Sequence, residues 1–208
     1  MTIETAKSLF GENFIGKEEL KPFFKALDFG DVDIQEKPFD YSDTVLREAA
    51  NNGYILIYGV EHIGDQLINL RFLREKFGVD PGVSEPCFYN QDWYLKESFM
   101  DDTFLNAQWF LIKKEVFDDS RSVMPENLLE RKFNFPPAIL CAYTFYAYYF
   151  ARKKFLWWHD FVWCRDVDHN GDRIYVGKYH DIDGVNKNGF SIHRHLALRP
   201  CYGSVNCI

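Results

Sequence analysis

The sequence predicts an α+β protein in which N-terminal helices and one central apolar helix pack on a mainly antiparallel sheet, with a C-terminal β-meander. Three observations predict it. Leu20, Phe24 and Leu27 recur at helical spacing; the window from Phe133 to Ala151 carries no charge and contains Pro136-Pro137, a pair suited to opening a helix; four short β-rich runs after residue 155 are separated by Asp/Asn/Gly-rich turns. No internal repeat, low-complexity tract or Gly/Ser linker divides the 208 residues, so one domain over 1–208 is expected.

The first thirty residues read as helical and close at Gly30, with Pro22 early enough to sit in a first turn. Ser42 is placed to cap a short helix that ends at Asn52-Gly53. Tyr54 to Val60 is an apolar, β-rich run bounded by Gly, the pattern of an interior strand. It feeds a helix whose stripe is Leu67, Leu70, Leu73 and Phe77, with Asp65 at its positive end, Lys76 near its negative end and Gly78 as the stop. CFYNQDWYL and AQWFLIKKEVF, within residues 86–117, are read as strands, although Phe104, Gln108, Leu111 and Ile112 would also fit a helix. Asp118 to Lys132 reads as a surface connection with a short helix. Pro136-Pro137 then opens a helix to about Lys154 that is apolar on every side and belongs at the centre. WWHDFVWCRD, RIYVGKY, GFSIHRHLAL and YGSVNCI supply the meander.

Composition bounds the function. A net charge of −7, with no basic run longer than Arg152 to Lys154, disfavours nucleic acid as a partner. Five cysteines without a Cys-x-x-Cys spacing, and an N-terminus without a basic start and apolar run, point to free thiols and the cytoplasm. The charge-free window reaches the length of a membrane span, but its two prolines and four tyrosines suit a protein core, so no membrane is expected.

DVDHNGDRIYVGKY poses the sharpest chemical question. Asp166, Asp168 and Asn170 stand at positions 1, 3 and 5 of a calcium loop with Gly171 at 6, yet position 12 is Gly177 where a bidentate Glu should close the sphere. A hairpin turn accounts for the same residues: Asn170-Gly171 accept positive φ and Asp side chains cap free amides. Asp181 and Asp183 form a second acidic turn one strand on, which places it at the opposite end of the sheet. His193 and His195 share a strand face and could ligate one metal, with His159, Cys201 or Cys207 as a third group. No carboxylate at a recognised offset completes that set, so no metal and no cofactor is expected.

Gly59 to Gly64 imitates a phosphate loop, but Asp65-Gln66 replaces the Lys-Ser/Thr it needs. Asp28-Phe29-Gly30 lacks every other part of a kinase signature. With 20 Phe, 12 Tyr and 5 Trp, the chain holds more ring surface than one strand face can hide. Trp93, Tyr94, Trp157 and Trp158 are the candidate binding residues, and adjacent Trp157 and Trp158 on a strand would face opposite ways. The reading is a non-catalytic binding or assembly module whose partner is a protein or a second copy of the chain. The alternative is a metal-assisted hydrolase using His193 and His195 with a carboxylate such as Asp160 or Asp166.

Overall fold

A computed structural model describes residues 1–180, 188–194 and 198–208, with the backbone alone at 179 and 180. It is an α+β fold. Helices α1 (Ile3–Phe10) and α2 (Lys17–Ala26) flank the short strand β1 (Phe14–Ile15), and α3 (Asp43–Asn51) leads into β2 (Tyr54–Tyr58). Ser42 caps α3 as expected, its hydroxyl accepting from the Val45 amide. β1 pairs parallel to β2, and β5 (Trp109–Lys113) pairs antiparallel to it on the other side, which leaves all five residues of β2 buried.

Several local expectations change. The first thirty residues are not continuously helical, since β1 separates α1 from α2, and Pro22 is the sixth residue of α2 rather than part of its first turn. His62–Ile63 (β3) and Gln66–Leu67 (β4) form a small hairpin, with Gly64 at φ +58°, so Asp65 lies in a turn and does not face a helix dipole. The helix that follows, α4 (Leu70–Phe77), begins only at Leu70, where the Asn69 side chain accepts from the Phe72 amide at 2.9 Å. CFYNQDWYL is not a regular strand. Its first part lies along the second sheet, Tyr89 N–H donating to the Phe190 carbonyl and Phe190 N–H to the Cys87 carbonyl, both at 2.8 Å. Its second part, Trp93–Lys96, is a single 3-10 turn, because the Arg74 and Arg71 guanidiniums take the Gln91 and Leu95 carbonyls that a strand partner would need.

After α5 (Pro125–Glu130) comes α6 (Ala138–Arg152), then β6 (Phe161–Val167), β7 (Arg173–His180), β8 (Asn188–His193) and β9 (Tyr202–Gly203). β6, β7 and β8 form the expected antiparallel meander. The fourth run departs from it: the sheet order is β8-β7-β6-β9, and β9 lies parallel to β6. The chain therefore recrosses the sheet after β8, and its last residues leave for the other sheet, where Lys113 N–H donates to the Asn206 carbonyl and Ile208 N–H to the Leu111 carbonyl.

Every residue of α6 from Ala138 to Tyr148 is buried. Its rings dominate the main core: Tyr146 stacks on Phe77 at 4.0 Å and packs on Phe88, Tyr143 meets Phe23 edge-on, and Phe145 packs on Phe190. Among the described residues no helix is long and apolar enough to cross a membrane.

The tyrosines on α6 differ in one respect that stability can report. Tyr143 donates to the Tyr58 carbonyl at 3.2 Å, whereas the Tyr146 hydroxyl is buried with no hydrogen-bond partner among the described residues. Tyr143→Phe should cost about 1 kcal/mol by orphaning a carbonyl, and Tyr146→Phe should be neutral or stabilising by up to about 1 kcal/mol. Urea unfolding of the two variants checks the order, and equal losses would contradict it.

Candidate functional site

The hairpin that joins β6 to β7 shows what its acidic residues do. Asp166 turns toward α6, where its Oδ2 accepts from the Ala138 amide at 2.6 Å. Burial pushes the Asp166 carboxyl up from its usual range, against the opposing pull of that amide. Asp168 folds over the turn: its Oδ1 accepts from the amides of Asn170 and Asp172, both at 2.9 Å, and Gly171 at φ +87° donates back to the Asp168 carbonyl. Its Oδ2 accepts from Arg194 Nη1 at 2.6 Å. Burial alone would raise the Asp168 pKa, but Arg194 and the turn amides outweigh it and hold the carboxyl low. Asp166 and Asp168, the two carboxylates of the calcium-loop imitation, thus accept from protein donors.

Asp168 also joins a group that sequence reasoning missed. The ligand atoms of Glu97, Asp168 and His169 all lie within 4.8 Å of one another, a spacing that could hold a cation. The Arg194 guanidinium already occupies this neighbourhood, 3.8 Å from Glu97 and 4.5 Å above the Trp93 ring. Glu97 also accepts from the His169 backbone amide at 2.9 Å and faces His169 Nδ1 at 2.6 Å. The four residues clamp the hairpin onto the 93–97 turn, and a metal would have to displace an arginine. Glu97 and Arg194 carry no motif that would have announced this.

The outer face of the second sheet carries an aromatic cluster. Phe161, Gly177 and Ser191 stand in register across β6, β7 and β8, and Trp163, Tyr175 and His193 form the next row. A Cβ on Gly177 would lie 2.1 Å from the Asp160 carbonyl oxygen and 2.9 Å from the Phe161 ring, so only glycine admits that close approach. His193 stacks on Tyr175 at 5.4 Å, shares a hydrogen bond with Ser191 Oγ through Nε2, and meets the Gln91 amide through Nδ1 at 3.3 Å. Burial holds the imidazole down at about 4, so at neutral pH it is uncharged and offers one N–H and one lone pair. Ser191 and Gln91 use both. Ser191 has no exposed surface, which keeps any substrate carbonyl away from its hydroxyl in this conformation.

The remaining candidates disperse. Asp160 is held bidentate by Arg121 at 2.7 and 3.1 Å. His195, Asp181 and Asp183 lie outside the described residues. Tyr94 is buried and takes a hydrogen bond from Arg74, and Trp93 donates its indole N–H to the Ile192 carbonyl at 3.1 Å. Trp157 and Trp158 precede β6, and a sharp turn, rather than strand alternation, separates them. Trp157 at φ +48° is buried, Trp158 is 45% exposed, and His159 follows at φ +62°.

Beside Trp158 lies a second group that the sequence did not announce. Lys178 is 1% exposed, its ammonium bonded to Glu85 at 2.9 Å and Asn188 at 2.5 Å and placed 4.3 Å from the Phe155 ring and 5.3 Å from Trp158. Its apolar neighbours in the strand sequence gave no sign of a buried charge. From Trp158 a row of partly exposed rings continues: Phe155 at 5.2 Å, Tyr149 stacked on Phe155 at 4.6 Å, and Phe150 at 5.6 Å from Tyr149.

No family model matches the chain, and neither a curated protein nor a solved structure is detectably similar to it. The sites therefore stand on their own chemistry.

His193 gives that chemistry a pH signature. The folded state holds the imidazole near 4 while the unfolded chain keeps it near 6.5, so the unfolded state binds the proton more tightly. The His193 contribution is flat above about pH 7, falls as pH drops through 6.5, and levels off below 4, at a loss of about 3 kcal/mol. Urea unfolding of wild type and His193→Gln at pH 7 and pH 4.5 isolates it. The wild type should lose more stability than the variant, and parallel losses would refute the assignment.

Proposed function

We propose that the protein is a non-catalytic binding or assembly module whose contact surface is the aromatic strip centred on Trp158. One observation carries the reading: Trp158 is held outward, 45% exposed, between two non-glycine residues in left-handed backbone, Trp157 and His159. Each such residue costs on the order of 1–2 kcal/mol, and turning the ring inward would recover about as much again from burial. Folding alone favours neither feature. Strain that persists next to an exposed indole is the pattern of a site maintained for contact.

The strip suits a protein surface. Phe155, Tyr149 and Phe150 extend it beyond Trp158, and Lys153 Nζ lies 5.3 Å and 5.1 Å from the rings of Tyr149 and Phe150. Rigid aromatic rings bordered by cations are the composition of interface centres, where few residues carry most of the affinity. The cations border rings on a chain of net charge −7, so an acidic patch on a second copy is an electrostatically suitable occupant. Half-buried His193 and Asp166 and buried Asp168, each already bonded within the protein, lend the hydrolase alternative no comparable support.

Light scattering coupled to size exclusion tests the reading. Wild type should show a concentration-dependent mass above that of one chain. Trp158→Ala should weaken association by roughly 30-fold, on the order of 2 kcal/mol, with an unchanged far-UV spectrum, while Met124→Ala, at another exposed apolar position, should leave it intact. A strict monomer, or association indifferent to Trp158, would remove the basis for self-assembly through this strip.

A further inference from the structure

The cleft beside the N-terminal end of α6 plays no part in the contact surface above and carries a separate inference. About 270 Å³ lies open between residues 104–110, the start of α6 and residues 207–208. Buried Pro137 and Leu140 supply its apolar side, and half-buried Phe110 and Phe104, which is 42% exposed, supply rings. Its polar side chains are the amides of Asn106, Gln108 and Asn134, the Tyr41 hydroxyl and the Cys207 thiol, and Arg165 is the charged side chain among its lining residues. No acidic residue lines it, although acidic residues outnumber basic ones in the chain by 31 to 24.

Arg165 is placed there by an irregularity in the sheet. Between the pairs Trp163↔Tyr175 and Val167↔Arg173, β6 advances four residues while β7 advances two. The surplus bulges outward, as such insertions do when they re-aim a side chain. Arg165 N–H leaves the ladder for the Pro136 carbonyl at 3.0 Å, and Arg173 Nη1 satisfies the Cys164 and Arg165 carbonyls at 2.9 and 3.0 Å. The bulge is thus bonded on both sides. The Arg165 side chain, by contrast, is exposed and has no hydrogen-bond, ion-pair or ring partner among the described residues.

We propose that this cleft binds a small organic carboxylate, an aromatic or branched aliphatic acid, whose carboxylate pairs with Arg165 and whose body lies against Phe104 and Leu140. A guanidinium presents two parallel N–H donors that match a carboxylate. The apolar lining with a few convergent polar groups is the usual build of a small-molecule site, and the volume falls just below the roughly 300 Å³ at which drug-sized ligands begin to fit. The ligand is accordingly small.

Titration of the isotope-labelled full chain with phenylacetate and with 4-methylpentanoate, followed by NMR, tests it, with phenylacetamide as the uncharged control. At least one acid should shift the Arg165 side-chain signal and the Asn106 and Gln108 amide signals saturably, with a Kd on the order of 1 mM or below. Phenylacetamide should bind at least about tenfold more weakly than phenylacetate. Arg165→Gln should abolish that preference, and Phe104→Ala should weaken acid and amide together; both residues are exposed, so both variants should fold. The proposal is overturned if neither acid saturates these signals, if the amide binds as well as the acid, or if Arg165→Gln keeps the preference. None of these outcomes depends on Trp158 or on association state.

Discussion

The Asp166 carboxylate against the Ala138 amide is the contact on which the arrangement of this molecule depends. α6 is buried over most of its length, and a buried helix start must satisfy amides that no preceding turn can reach. Pro136 and Pro137 aggravate the problem locally, because neither offers a side chain that could cap. The solution comes from the next strand, 28 residues later, and places a carboxylate at the positive end of the helix dipole, where a charge is worth up to about 2 kcal/mol when partly buried. Without it the helix would carry an orphaned amide into the core at a cost of about 1–3 kcal/mol. The other end is closed differently: Lys153 adopts the left-handed conformation, and Arg152 reaches the carbonyls of Glu12 and Phe14, both at 2.8 Å.

That one contact shapes the hairpin beyond it. Bringing Asp166 to the helix requires β6 to leave the ladder, which is the bulge between Trp163 and Val167. Beyond the bulge the strand ends in a turn whose amides are gathered by Asp168, and Arg194 on the far side of the sheet neutralises that carboxylate. Two aspartates two residues apart therefore serve different partners, a helix start and a turn. A calcium ion would need both to point at one centre.

The sequence made the helices and the order of the meander legible because their signals are local: Ser42 as a cap, the charge-free window of α6, the Asn170-Gly171 turn. It could not reveal what is decided by distant partners. The 87–96 segment has strand-forming residues, yet Arg71 and Arg74 from α4 claim its carbonyls, and the side-chain period of that segment says nothing about them. β9 was expected at the end of a meander, but a two-residue strand has no register preference of its own and goes where the returning chain brings it. The candidate site divides the same way. Trp158 was legible as a ring too many for the core, whereas its outward orientation rests on two positive φ angles at residue types that rarely adopt them. Lys178 and Arg165 were illegible because burial of one and exposure of the other depend on packing from residues 85, 136, 155 and 188.

What distinguishes the surfaces argued to function is surplus capacity after folding is satisfied. The polar residues that first attract attention, Asp166, Asp168 and His193, have their donors and acceptors matched inside the protein, and a ligand could gain only by breaking those bonds. Arg165 is the reverse case: its backbone is pinned by the bulge, its guanidinium has no hydrogen-bond partner among the described residues, and no acidic side chain is among the cleft's described lining residues. Trp158 follows the same logic for apolar surface, since Phe155 and Lys178 support one part of the ring and solvent meets the rest. A rigid backbone beneath an unspent side chain loses little entropy when a partner arrives, so modest contacts suffice for measurable affinity. The polar residues concentrated in the β6–β7 turn are therefore committed to the fold, and the two proposals rest instead on the exposure that Arg165 and Trp158 keep.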